Sequence, residues 1–124
     1  MLLGFTVFRE EIEDGTKEQT IRLLRRGRAR EPHIPKPGEP LYLYWHLRQK
    51  DCKLMGVFPC TEVLIKCWGA MKDDADLARR DGFDSLDAYR RFFADHYDLN
   101  DYTQFMIIRW NFVSFRLKLT KGRK

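Results

Sequence analysis

Several strand-forming segments follow one another between residues 41 and 67, with no helical segment between them. Residues 41–45 (Leu-Tyr-Leu-Tyr-Trp) are apolar and β-forming on both faces, which predicts a buried strand. Residues 53–67 predict one or two further strands, with Pro59 as an interruption. Because strands and helices do not alternate, this order excludes a doubly wound parallel sheet.

The segments on either side complete the pattern. A short helix is predicted from Phe8 to Asp14, with Gly15 in the position of a helix C-cap. Two helices are predicted later, over residues 72–80 and after Ser85. Further strands are predicted over residues 20–23, 104–110 and 112–119. The whole predicts an α+β fold: a small, mainly antiparallel β-barrel flanked by helices, since strands without polar edges need closure.

Length and composition narrow the class of protein. The chain has 124 residues, 44% of them hydrophobic and 14% aromatic, which predicts a single ordered domain over residues 1–124. No apolar run approaches the roughly 20 residues that span a bilayer, and residues 1–5 are too short for a signal peptide core. The 3 cysteines form no CxxC pair. We therefore expect a cytoplasmic protein with reduced thiols and no contact with membranes.

The net charge of +5 hides strong segregation. Residues 73–101 carry −5, whereas residues 22–36 and 116–124 carry +5 each. We expect a basic loop containing proline and glycine at residues 25–40, and a basic tail at residues 118–124. The loop supplies four candidate RNA-binding arginines: Arg25, Arg26, Arg28 and Arg30. Arginine suits phosphate geometry, so nucleic acid is the favoured partner; the alternative is a solvated loop and tail.

A short polar motif lies where the first helix meets the first predicted strand. Thr20 and Arg22 are two residues apart, so both side chains leave the strand on the same face. Lys17 precedes Thr20 by three residues and lies in the turn after Gly15. We therefore expect Lys17, Thr20 and Arg22 to converge beside the mouth of the barrel.

This motif, together with the segments C-terminal to it, resembles the ASCH domain of the PUA-like superfamily. The family's marker is a glycine, a lysine and an arginine at the spacing of Gly15, Lys17 and Arg22. The resemblance extends over roughly residues 5–112, through the Pro-Gly turn at 37–38 and the stretch 81–83 to the strand at 104–108. It implies a PUA-like barrel with an RNA-binding cleft beside the marker.

Within that family, the chain is similar to the small N4-acetylcytidine amidohydrolases, which use a lysine, a threonine and a glutamate. The resemblance places these roles on Lys17, Thr20 and, allowing one gap, Asp81, an aspartate where the family has glutamate. It implies that Thr20 attacks the acetyl carbonyl, Lys17 is the base, and Asp81 holds Lys17 or shuttles a proton. Arg22 would stabilise the oxyanion or bind a phosphate. The alternatives are structural: a solvated lysine, a β-forming threonine, a paired arginine and a turn aspartate.

Other residue types complete the predicted site. Tyr42 or Trp45 are candidates to stack on a base, the alternative being that both are core residues. The histidines and cysteines are scattered, and no glycine-rich phosphate loop is present, so we expect neither a metal nor a cofactor.

Two functions of different class are consistent with the sequence. The first is an RNA- or nucleotide-binding protein with a Lys/Thr/Arg cleft and a basic rim. The second is an amidohydrolase that deacetylates N4-acetylcytidine. Ribonuclease activity and an interaction subunit that docks through its basic tail are further alternatives. The expected partner is RNA, a nucleoside or a nucleotide, and the sequence indicates no particular protein partner.

Overall fold

A computed structural model of the protein describes residues 1–25 and 32–112. The predicted rim residues Arg26, Arg28 and Arg30 lie outside the described residues. So does the strand predicted over 112–119, apart from Phe112, and so does the predicted basic tail.

The described residues form five strands and four helices. The strands are β1 (Leu2–Phe5), β2 (Gln19–Leu23), β3 (Pro40–Trp45), β4 (Lys53–Cys67) and β5 (Gln104–Trp110). The helices are α1 (Arg9–Asp14), α2 (Trp68–Met71), α3 (Ala75–Arg80) and α4 (Leu86–His96). None of these helices is long and apolar enough to cross a membrane.

The strands form one curled sheet in the order β1-β3-β4-β5-β2, which closes into a half-barrel. Only β1 and β3 are parallel; the other three pairs are antiparallel, so the predicted α+β class and mainly antiparallel sheet are confirmed. Strand β4 is continuous, and the predicted interruption at Pro59 is wrong. Pro59 lies opposite Pro40, where β4 leaves β3, and the register shift near Cys60 carries β4 over to β5.

Two apolar clusters fill the fold, one on each part of the sheet. The first packs α1 through Ile12 onto side chains of β1, β3, β4 and one face of β5. The second packs α2, α3 and α4 onto β2 and β5, with Trp68 and Phe93 stacked at a ring separation of 5.2 Å. Each fully buried side chain of this size contributes roughly 1.5–3 kcal/mol, so these clusters fix the positions of the helices against the sheet.

Strands β1 and β2 are the two edges of the half-barrel, and an arginine joins them. Arg22 on β2 donates from Nη2 to the backbone oxygen of Gly4 on β1, at 2.8 Å. Its guanidinium also lies 4.8 Å from the ring centre of Phe5. The edges therefore meet through a side chain rather than a strand ladder, which leaves space for a cavity at this point.

Candidate functional site

The polar motif predicted from the sequence lies at the junction of α1 and β2. Gly15 ends the helix with φ at +86°, a conformation that L side chains rarely adopt. The chain then turns back, and the Lys17 amide donates to the carbonyl of Glu11 at 2.9 Å. This turn directs the Lys17 side chain inward, where only 2% of it is exposed.

The end of α3 supplies the partner of Lys17. The Asp74 side chain caps the helix at its start by accepting from the Leu77 amide at 3.0 Å. The helix ends at Arg80 with Asp81 as its C-cap, and Gly82 follows with φ at +103°. The Phe8 ring packs directly over Gly82, so this turn fixes where the Asp81 side chain points.

Lys17 and Asp81 form a buried ion pair. Lys17 Nζ lies 3.2 Å from Asp81 Oδ1 and donates to the Asp81 backbone oxygen at 2.5 Å. Burial lowers the pKa of Lys17, partly offset by the Asp81 charge, while the positive charge of Arg22 lowers it further. Burial likewise raises the pKa of Asp81, against the opposing effect of Lys17. The pKa values of Lys17 and Asp81 are therefore closer to each other than those of an exposed lysine and an exposed carboxylate.

Thr20 and Arg22 lie on the same face of β2, as their spacing predicts. Arg22 Nε donates to Thr20 Oγ1 at 3.1 Å. A guanidinium can only donate, so the Thr20 hydroxyl is the acceptor in this bond. Its own proton is therefore left for another acceptor, such as a ligand or a base. No hydrogen bond joins Thr20 to Lys17 among the described residues.

These polar groups line one cavity of about 140 Å³, which we call the Lys17 cavity. Five of the residues that line it are aromatic, among them Phe8, whose ring centre lies 4.9 Å from Lys17 Nζ. The lining residues are Gly4, Phe5, Thr6, Val7, Phe8, Lys17, Thr20, Ile21, Arg22, Asp81, Phe92, Phe93 and Tyr97. The structure thus brings Lys17, Thr20, Arg22 and Asp81 together around one opening.

Two polar residues of this region were not predicted from the sequence. Gln19 is 1% exposed and donates from Nε2 to Asp81 Oδ1 at 3.3 Å and to the Leu77 carbonyl at 3.2 Å. Its Oε1 accepts from Arg109 Nε at 3.1 Å, across the ladder between β2 and β5. The only sequence signal was a polar residue at the start of a buried strand, which does not reveal its partners.

The remaining candidate residues lie elsewhere. Tyr42 and Trp45 are on β3 and are not among the residues that line the Lys17 cavity. Trp45 stacks on His46 at 4.3 Å and packs against the first core cluster, and Tyr42 is 36% exposed. Arg25 is exposed just after the end of β2. The aromatic side chains that face the cavity come instead from β1, the segment before α1, and α4.

The part of the chain that the structure describes contains no set of side chains that could bind a metal ion. No three His, Cys, Asp or Glu side chains come together there in a way that could hold a metal ion. No histidine lines the Lys17 cavity either.

The Asp81–Gly82 turn makes a specific prediction for stability. In Gly82→Ala, the new Cβ would lie 3.0 Å from the Phe8 ring at a φ of +103°, so we expect a loss of about 1–3 kcal/mol in urea unfolding. Gly38→Ala is the matched control, because Gly38 has φ at +90° and nothing within 4 Å of the added carbon. Equal losses in the two variants would show that the Phe8 contact contributes nothing.

Comparison with solved structures identifies the architecture. A crystal structure from Enterococcus faecalis V583, assigned to the family DUF984, matches with a TM-score of 0.60 and 17% identity, over 83% of this chain and 67% of that one. The ASCH protein of Zymomonas mobilis matches with a TM-score of 0.59 and 14% identity, over 89% of this chain and 65% of that one. The chain has the ASCH-domain fold. The ASCH domain of Lactobacillus crispatus JV V101 agrees, with a TM-score of 0.58 and 16% identity over 89% of this chain and 78% of that one.

The resemblance carried by Gly15, Lys17 and Arg22 is therefore confirmed at the level of the fold. No family model matches the sequence, and no curated protein matches it either. The chain spans about two thirds of the length of the first two crystal structures. Sequence identities this low show that the fold is shared, but they do not show that an activity is shared.

Proposed function

We propose that the protein binds RNA or a nucleotide, with a base or sugar in the Lys17 cavity. The observation that carries this is the lining of the cavity, where aromatic rings and hydrogen-bonding groups surround one opening. A base presents a flat face that stacks on aromatic side chains, and an edge that hydrogen-bonds to groups such as the Thr20 hydroxyl. A PUA-like architecture and the basic loop that begins near Arg22 support the same assignment.

Arg22 is suited to bind a phosphate of a ligand whose base lies in the cavity. Its Nε and Nη2 are used by Thr20 and Gly4, so the guanidinium is held rigidly while keeping its charge. A fixed cation beside an aromatic pocket favours a ligand that carries a phosphate next to its base. Arg25, exposed immediately beyond β2, extends the positive charge toward the basic loop.

The binding proposal is tested with short single-stranded and structured RNAs at two salt concentrations. We expect affinity to fall steeply as salt rises, because phosphate contacts release counterions. Thr20→Val keeps the shape of the side chain and removes its hydroxyl, so we expect roughly five- to tenfold weaker binding. Thr61→Val, on an exposed position of β4, should leave affinity unchanged. Absence of binding at low salt, or equal losses in both variants, would refute the proposal.

A second candidate function, deacetylation of N4-acetylcytidine, is favoured by one specific observation. The Lys17–Asp81 pair is buried in the same cavity as a threonine whose hydroxyl proton is not used by Arg22. An amine with a lowered pKa is the kind of base that a threonine nucleophile requires. The proposed aspartate is one methylene shorter than the family's glutamate, yet its Oδ1 is within 3.2 Å of Lys17 Nζ.

The proposed reaction has two stages. Neutral Lys17 takes the hydroxyl proton as Thr20 Oγ1 bonds to the acetyl carbonyl carbon. The C–N4 bond then breaks, and the Lys17 ammonium returns that proton to the leaving amine of cytidine. Water next attacks the threonine ester as Lys17 accepts its proton. The bond between Thr20 Oγ1 and the acyl carbon then breaks, and the Lys17 ammonium returns the proton to Oγ1, which releases acetic acid that ionises to acetate in solution. Asp81 keeps Lys17 in place, and Arg22 lies close enough to Thr20 to stabilise the oxyanion.

A further inference from the structure

A second opening lies on the other side of the segment that carries Lys17. It is a cleft of about 360 Å³, which we call the arginine cleft. It is lined by Thr16, Glu18, Gln19, Arg79, Arg80 and Arg109. Thr16 and Glu18 flank Lys17 in sequence, so neighbouring residues of one turn line two different openings. Neither the resemblance nor the proposed reaction assigns any role to this cleft.

The three arginines of the cleft are paired with carboxylates that are themselves exposed to solvent. Arg79 and Arg80 share one partner, Asp76, through contacts of 2.5 Å and 3.1 Å. Arg109 Nη1 contacts Glu62 at 2.6 Å. The Asp76 side chain is 58% exposed and that of Glu62 is 49% exposed, so water competes with the arginines for both carboxylates. Pairs as exposed as those of Arg79 and Arg80 contribute little to stability, so an incoming anion can replace them at small cost.

Hydrogen-bond donors remain available in the cleft. Arg80 contacts Asp76 through Nε, which leaves both of its terminal nitrogens outside that contact. Arg109 uses Nε for Gln19 and Nη1 for Glu62, which leaves Nη2. Several guanidinium groups that converge on one concave surface match the oxygens of a phosphate better than those of a single carboxylate.

The cleft is also connected to the Lys17 cavity. Arg109 holds the Gln19 side chain at 3.1 Å, and Gln19 in turn donates to Asp81 at 3.3 Å. Asp81 is the partner of Lys17. A ligand that moves Arg109 therefore changes the position of Gln19, and through it the environment of the buried pair.

We propose that the arginine cleft is a phosphate-binding site, joined through Arg109 and Gln19 to the Lys17–Asp81 pair. The phosphate comes either from an RNA backbone or from a free anion. The RNA source rests on the proposed function, whereas binding of inorganic phosphate does not. When an anion occupies the cleft, Arg109 binds it. Because Arg109 also donates to Gln19 Oε1, the hydrogen bonds of Gln19 shift as well.

Titration of the full chain with inorganic phosphate tests this proposal. The Gln19 side-chain amide is followed by NMR, with sodium chloride at equal ionic strength as the reference. We expect a saturable shift with phosphate and none with chloride. Arg80→Gln and Arg109→Gln should each weaken phosphate binding about tenfold, because each removes a charge-assisted hydrogen bond. Arg91→Gln, an exposed arginine of α4, removes the same charge elsewhere and should change nothing.

A second arm distinguishes the two sources of phosphate. If the RNA backbone occupies the cleft, Arg80→Gln also weakens binding of a short oligoribonucleotide and makes its salt dependence shallower by about one phosphate contact. If RNA affinity is unchanged while inorganic phosphate still binds, the site takes the free anion. Thr20→Val should leave the response of Gln19 to phosphate intact. If the Lys17 cavity binds no RNA, the phosphate titration can therefore still succeed, and if the arginine cleft binds no phosphate, the effect of Thr20→Val on RNA binding remains. A Gln19 signal that responds equally to phosphate and chloride would overturn the proposal.

Discussion

Lys17→Met is expected to lower the free energy of unfolding by about 3–5 kcal/mol, measured by urea denaturation. The substitution keeps the length of the side chain and removes its charge. Asp81 is then left buried, with Gln19 as its remaining side-chain donor among the described residues. A carboxylate with 8% of its side chain exposed is not compensated by water, so the loss includes the cost of an unpaired charge or of its protonation.

The buried position of this pair is what makes the effect large. Lys72→Met is the matched control, because Lys72 also contacts a carboxylate, that of Asp101, at 3.0 Å, but both side chains are exposed. We expect a loss below about 1 kcal/mol there. Adding Asp81→Asn to Lys17→Met should recover part of the stability, because it removes the unpaired charge. Strictly additive losses in the double variant would contradict a coupled buried pair.

Thr20→Ala is expected to reduce deacetylation of N4-acetylcytidine by at least about 10³-fold, measured as formation of cytidine by the purified protein. The reason is that the variant lacks the oxygen that would form the acyl intermediate, while Lys17 and Asp81 remain in contact. Binding of the ligand should change far less than the rate, because the aromatic lining of the cavity is retained. Thr20→Ser keeps a hydroxyl and should keep measurable activity. Full activity in Thr20→Ala would remove Thr20 from the mechanism.

The pH dependence of the rate tests the role of Lys17 in the same assay. The base must be neutral, so the rate should rise with pH as Lys17 loses its proton. Burial lowers the pKa of Lys17, so the rise should be centred below the ordinary lysine value of 10.5. A rate that is independent of pH across this range would argue against lysine as the base.

Much of the local structure could be predicted from the sequence, because it depends on short-range chemistry. The helix before Gly15, the strand that carries Thr20 and Arg22, and the Ser85 N-cap all agree with the structure. The Ser85 hydroxyl accepts from the Ala88 amide at 3.1 Å, as an N-cap residue should. The helix end and the N-cap require only neighbours three or four residues away along the chain, and the common face of Thr20 and Arg22 follows from the alternation of side chains along a strand.

Other elements could not be predicted, because their stability comes from distant partners. Strand β1 is only four residues long and exists through its parallel pairing with β3. Helix α2 has four residues and is held by Trp68 packing into the second core cluster. Continuity of β4 past Pro59 likewise depends on a change of partner strand. Periodicity carries little signal for such short or shared elements.

The sequence by itself determined the α+β class, the turn at Gly15 and the common face of Thr20 and Arg22, because these depend on backbone geometry over a few residues. It also placed Lys17 and Asp81 among the candidates, but 64 positions apart. Only the tertiary structure decided that they meet, since packing of α3 against the sheet brings the end of that helix to the start of β2. Tertiary structure also decided which aromatic side chains face the cavity and joined Arg109 to Gln19, because contacts across a sheet depend on strand order and register.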